Sequence, residues 1–186
     1  MLTIYGRATS SNVQAVMWLI GELGLDHDRV DLGHVHGGLD EPDFRAMNPM
    51  ALIPVMRDGS LTMFESCAIN RYLAARYAPG TGFWPDDPAE RGRADMWAEW
   101  GKTTLNGAFT APIFWSRVRT AAKDRDEAAL SRAIERFEAL LALVSARVEA
   151  VEWVSGARIG LADIMVGHLL HRYFDIDVPR SEPPGV

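Results

Sequence analysis

The chain has 186 residues, 48% of them hydrophobic, and a formal net charge of −6. That length buries a real core in one large domain or two small ones, while the acidic balance argues against a nucleic-acid partner, whose phosphates demand a basic surface. The start, MLTIYGRATS, is no signal peptide, no apolar run reaches the ~18 residues of a membrane span, and the single Cys67 excludes an internal disulfide and a Cys-x-x-Cys redox pair; a soluble, cytoplasmic protein with no membrane partner is expected.

Residues 1–78 alternate short strand and helix patterns. Leu2 to Tyr5 reads as a strand, Ser11 to Leu23 as a helix stopped by Gly24, and Arg29 to Leu32 as a second strand. A loop rich in Gly and His leads to a short helix from Asp40 to Met47. Ile53-Pro54-Val55-Met56 then enters a hairpin, with Asp58-Gly59 as its two-residue turn and Ser60 to Met63 returning. Pro54 has no N–H for a ladder, and X-Pro bonds tolerate the cis form. A cis bond there turns the Val55 backbone outward to pair with another peptide. Glu65-Ser66 opens a helix whose apolar face carries Cys67, Ile69, Tyr72, Leu73 and Tyr77. The order βαβαββα predicts a mixed sheet with helices on both faces, a thioredoxin-like α/β domain.

Residues 79–88, with Pro79, Gly80, Gly82, Pro85 and Pro88, read as a linker, and residues 89–186 as an all-helical domain. Ala89 to Val118 is helical with Trp97, Trp100, Leu105 and Phe109 on recurring faces, and Pro112 is expected to kink or break it. Asp126 to Val148 repeats Leu130, Ile134, Phe137, Leu140, Leu141 and Val144, an amphipathic helix. Gly160 to Phe174 is apolar nearly all round and belongs at the centre of a bundle.

Chemistry is expected at the turn Thr9-Ser10-Ser11-Asn12-Val13. Where thioredoxin-like redox proteins hold Cys-x-x-Cys, this chain has Ser10 and Val13, so what remains is a hydroxyl at a helix N-terminus. One reading has Ser10 and Ser11 capping that helix; the other aims a hydroxyl at a bound thiol. The first N–H groups of the later helix, with the Ser66 hydroxyl, make a carboxylate site. A peptide-pairing edge beside a carboxylate site describes a receptor for a small peptide.

These residues bring out a resemblance. Asn48-Pro49, a small residue, an apolar-Pro pair, Asp58-Gly59 and Glu65-Ser66 before a helix with Tyr72-Leu73 strongly resemble the glutathione-binding half of glutathione S-transferases. The likeness covers essentially the whole chain and points to bacterial, serine-type members of theta, delta, phi or nu-like kind. It implies that Ser10 stabilises the glutathione thiolate, with Ser11 as the rival, and that Asn12 faces the sulfur. It further implies glutathione contacts from Ile53, Pro54, Val55, Glu65 and Ser66, with Glu99 reaching the γ-glutamyl amine across a dimer interface. Phe114 and Trp115 are candidates to line the pocket of an apolar electrophile.

The resemblance makes glutathione a co-substrate and expects no metal; His168 and His171, one turn apart, lack a third ligand at a telling spacing. It also implies a homodimer through Met63, Phe64, Met96 and Trp97, unless these fill a seam within one chain. The chain departs from the family pattern at Ala51, where Gly is usual. At the glycyl-carboxylate position it has Gly38-Leu39, leaving His34 or His36 as substitutes, and at the last helix Gly160 replaces a capping Ser or Thr before Asp163. The Pro-rich tail DIDVPRSEPPGV stands where the family continues through further helix, which leaves a reduced pocket wall or an incomplete chain as readings. Conjugation of glutathione to an apolar electrophile, as in detoxification, is the reaction implied. Glutathione-dependent peroxide or disulfide reduction and a non-catalytic binding protein are the alternatives.

Overall fold

The computed structural model describes residues 1–181; the end of the Pro-rich tail, residues 182–186, lies outside the described residues. The chain divides into two compact units, Met1–Trp84 and a second beginning at Pro85.

The first unit follows the order β1(Leu2–Tyr5), α1(Ser11–Glu22), β2(His27–Val30), α2(Pro42–Met47), β3(Val55–Asp58), β4(Leu61–Phe64), α3(Ser66–Tyr77). The strands lie in the order β2-β1-β3-β4, with β1 parallel to β2 and the other neighbours antiparallel. A parallel β1–β2 pair needs a crossover, and α1 supplies it. Leu2 and Ile4 alternate into the core, where they meet Val13, Val16, Leu19 and Ile20 of α1 and Ile69 and Leu73 of α3. Gly24 closes α1 by donating to the Gly21 carbonyl at 3.1 Å, and the next N–H, of Leu25, reaches the Ile20 carbonyl.

Several expected boundaries move. The second strand lies at His27–Val30 rather than Arg29 to Leu32, because the chain must turn at Gly33 (φ +83°). The short helix begins at Pro42, whose fixed φ suits a first helical position. The hairpin turn is Gly59-Ser60, not Asp58-Gly59: Asp58 pairs with Leu61, and Gly59 takes φ +58° as the first central residue, the place a type II′ turn gives to glycine. Tyr72 and Tyr77 do more than extend an apolar face. Both hydroxyls donate to Asp58 Oδ2, at 2.8 and 2.5 Å, pinning α3 to the hairpin turn.

The second unit is helical: α4(Pro88–Trp100), α5(Asn106–Phe109), α6(Glu127–Val151) and α7(Leu161–Asp175). Pro112 does not break the helical path after α4. The path continues through π-helical turns at Gly101–Leu105 and Thr110–Arg119, where wider i→i+5 bonding absorbs a residue that has no N–H to give. α7 is buried along most of its length, and Phe109, Phe137 and Tyr173 form the aromatic centre, with ring centroids 4.8–6.1 Å apart.

Asp87 caps α4 by accepting from Ala89 and Glu90 N–H, and Asp126 caps α6 by accepting from Ala129 N–H. At α7, Gly160 brings no side chain, and the cap is supplied from further back: Ser155 Oγ accepts from Ala162 N–H at 3.2 Å. Asp163 accepts from the N–H groups of Val154, Ser155 and Gly160. Ile176 and Val178 are buried, and Arg117 donates to Asp177, so the described part of the tail packs on this unit. Among the described residues no helix is long and apolar enough to cross a membrane.

Candidate functional site

In the first unit the end of β1, the start of β3 and the end of β4 meet, because Val55 is in register with Tyr5 on one side and Phe64 on the other. The N-termini of α1 and α3 flank the same edge. Gly6 makes this approach possible: a Cβ there would lie 2.6 Å from Val13 Cγ2 and 3.1 Å from Ile53 Cβ, at φ +148°. The Ile53-Pro54 peptide is cis, and β3 begins directly after it.

The preceding loop is built by Asn48, which is 2% exposed. Its amide donates to the Leu52 carbonyl at 2.8 Å, and its Oδ1 accepts from Met50 N–H at 3.0 Å. Ala51, where the family usually has Gly, sits at φ +53°. Sequence reasoning took Asn48 only as part of a motif. The signal for its structural role was there, since Asn next to Pro is a common turn former.

Ser10 is the N-cap residue of α1, 9% exposed, with extended backbone at φ −81°, ψ 124°. Its hydroxyl makes no cap hydrogen bond. The Ser11 hydroxyl is buried without a hydrogen-bond partner among the described residues. Ser66 Oγ donates to Asn12 Oδ1 at 3.1 Å, and Asn70 Nδ2 donates to the Ala15 carbonyl at 3.1 Å, so α3 is tied to the first turn of α1 at two points. Glu65, before α3, holds φ +71°, ψ 110°. A non-glycine residue there costs of order 1–3 kcal/mol, and such strain concentrates at functional sites.

The electrostatics of the two helix starts differ from the rest of the chain. Neither α1 nor α3 has an acidic residue in its first turn or a side-chain cap, whereas α4 and α6 carry both. The positive end of each helix dipole therefore faces the same edge with no first-turn carboxylate to offset it, which suits an anionic ligand.

Ser10, Ser11, Asn12, Ile53, Pro54, Val55, Glu65 and Ser66 thus share one region of the first unit. Glu99, Phe114 and Trp115 belong to the second. Glu99 is exposed on α4. Trp115 is 44% exposed, and Arg119 stacks over both aromatic rings, with Arg172 also over Phe114. His34 and His36 form a short turn in which His36 Nε2 stands 4.0 Å from Asp31 Oδ1. His168 is buried against the Ile164 carbonyl, and among the described residues no three His, Cys, Asp or Glu side chains gather as a metal site.

A four-stranded sheet in the order β2-β1-β3-β4 with helix starts at Ser11 and Ser66, followed by a helical unit, defines a thioredoxin-like domain joined to an all-helical one. Comparison with known proteins agrees. Residues 9–76 match the glutathione S-transferase N-terminal domain family. Over its whole length the chain is 36% identical to glutathione S-transferase GstB of Escherichia coli strain K12, spanning 89% of that protein. It is 32% identical to glutathione S-transferase 3 of Zea mays, over 87% of this chain and 73% of the maize protein. The theta class glutathione S-transferase of Xanthomonas axonopodis pv. citri, solved with glutathione bound, superposes with a TM-score of 0.92 at 38% identity, over 98% of this chain and 87% of that one. The chain belongs to the glutathione S-transferase family, a family of transferases.

Proposed function

We propose that the protein conjugates glutathione to an apolar electrophile, with Ser10 holding the glutathione sulfur as thiolate. The observation that carries this reading is the uncapped start of α1: a serine at the N-cap whose hydroxyl is not spent on the helix. A free cysteine-type thiol has a pKa of ~8.5. A hydrogen bond to an ionised acceptor contributes roughly 1.5–3 kcal/mol and a helix N-terminus about 0.3–1 kcal/mol. At ~1.4 kcal/mol per unit these lower the thiol pKa by about one to three units, and a drop beyond about 1.5 units makes thiolate the major form at neutral pH. The thiol proton leaves to solvent, the sulfur bonds to the electrophilic carbon, and the leaving group departs with its electron pair.

In this reading Asn12 and Ser11 complete the polar surround of the sulfur. The Val55 backbone, set by Ile53-Pro54, pairs with the cysteinyl peptide, and Glu65 and Ser66 hold the γ-glutamyl end. The protein acts in the cytoplasm as a homodimer in which Glu99 of one subunit approaches glutathione on the other. Exposed Phe64 (39%) and Met96 (60%) support an apolar contact between copies.

Retention on immobilised glutathione followed by chlorodinitrobenzene and peroxide assays tests the activity. Conjugation without peroxide turnover is expected. Peroxide turnover alone would turn the reading to reduction, and retention with neither activity would make this a binding protein. For the dimer, light scattering at micromolar concentration of protein that binds glutathione should give twice the chain mass; a single-chain mass rules it out.

A further inference from the structure

The second unit carries a groove that this chemistry does not use. It has a volume of about 440 Å³ and runs between the π-turned segment after α4 and the first half of α6. Thr103, Thr104, Gly107 and Pro112 form one wall, and Arg132, Ala133 and Arg136 the other. A Cβ at Gly107 would meet nothing within 4 Å, so that wall faces open space.

Arg132 and Arg136 stand one turn apart on α6, which brings their side chains to the same side of the helix. Glu135, between them in sequence, lines a different groove, beside the tail. Among the described residues neither arginine has a carboxylate or carbonyl partner. Some arginines do find one: Arg29 with Asp31, Arg45 with Asp40, Arg117 with Asp177, and Arg125 with the carbonyls of Ser116, Arg117 and Thr120. What sets Arg132 and Arg136 apart is that both of these exposed side chains line one groove, in a chain with 25 acidic residues against 19 Lys and Arg.

We propose that this groove binds a small phosphate-bearing anion. Two planar guanidinium forks on adjacent turns present several donors to a ligand with oxygens on more than one side, the geometry in which arginine outperforms lysine. The Thr103 hydroxyl donates to the Glu99 carbonyl at 2.8 Å, which turns its acceptor lone pairs elsewhere, while the Thr104 hydroxyl adds a neutral donor to the groove wall. The positive charge excludes a bare metal ion. The volume falls within the ordinary range of small-ligand clefts and leaves room for an organic group beyond one phosphate. The groove lies wholly in the second unit; of the residues assigned to glutathione, Glu99 adjoins it through the carbonyl that Thr103 holds, and the others lie in the first unit.

Titration calorimetry of the full chain with inorganic pyrophosphate at low salt tests this. Saturable one-to-one binding is expected, undiminished by saturating glutathione and weakened by added salt. Arg132→Gln and Arg136→Gln should each weaken it about tenfold or more, and the double variant should abolish it, with glutathione retention unchanged. No binding, binding that survives in the double variant, or displacement of pyrophosphate by glutathione would each overturn the proposal. So would a double variant whose light-scattering mass falls while the wild type ignores pyrophosphate, because the groove would then be a contact between copies.

Discussion

His168 sets a pH limit on stability that can be worked through. The imidazole is buried inside α7, and its Nδ1 lies 2.9 Å from the Ile164 carbonyl. A carbonyl only accepts, so Nδ1 carries the proton and Nε2 is bare. Burial lowers the pKa from 6.5 to about 4; the Ile164 bond opposes this, and the charges of Lys102 and Arg172 add to it. Because the unfolded chain binds the proton more readily than the folded one, stability is fully present above the unfolded pKa and is lost as pH falls from 6.5 towards 4. Integrated, this one group removes about 2 kcal/mol between pH 7 and pH 5, and about 3 kcal/mol by pH 4. Asp58 does not blur the window. The Tyr77 and Tyr72 hydroxyls hold its carboxyl below its ordinary 3.8, so its contribution fades only in stronger acid. Urea unfolding of the wild type and of His168→Gln at pH 7 and pH 5 is the assay, since glutamine keeps a donor for Ile164 but cannot titrate. The wild-type midpoint should fall by about 1 M more than that of the variant, for a slope near 2 kcal/mol/M. Equal falls would refute the buried neutral imidazole.

Ser10→Ala should lower thiol-limited turnover by about tenfold or more and move the pH–rate profile to higher pH, with glutathione affinity little changed. If only Ser11→Ala has this effect, the buried Ser11 hydroxyl is the thiolate donor. Ala51→Gly should stabilise the protein by about 0.5–1 kcal/mol, because relief of the left-handed conformation outweighs the extra freedom of glycine in the unfolded chain; an unchanged or lower melting temperature counts against it. Ser155→Ala should cost about 1 kcal/mol as a lost helix cap, and Asp163→Ala more, because three backbone N–H groups lose their acceptor. Equal melting temperatures for the two variants would show that Asp163 does not organise this junction.

The hairpin and the helix after it were readable because Pro54, Gly59 and the Glu65-Ser66 pair punctuate short apolar runs with local rules. The turn itself slipped by one residue, since Asp58-Gly59 and Gly59-Ser60 are both acceptable pairs and only the register of β4 chooses between them. Pro112 misled for the opposite reason. In isolation it ends a helix, and only packing against α6 holds the wider π turns that let the path run on. The Ser66–Asn12 and Asn70–Ala15 bonds span more than fifty residues, and the cap that Ser155 lends to Ala162 crosses a turn; no periodicity encodes such meetings. The open helix starts at Ser10 and Ser66 were suspected from residue type, but that the Ser10 hydroxyl goes unused by its helix needs coordinates.

The Ser66–Asn12 bond has a consequence for how a ligand enters. A serine hydroxyl has one hydrogen to give, and here it is already given to Asn12. A carboxylate arriving at α3 competes with Asn12 for that hydrogen. With Ser66 holding the γ-glutamyl carboxylate as proposed, binding exchanges one hydrogen bond for a charge-assisted one by rotating a hydroxyl. In the proposed reading the same rotation frees Asn12 Oδ1, so the hold on the γ-glutamyl end and the surround of the sulfur are coupled through one hydroxyl.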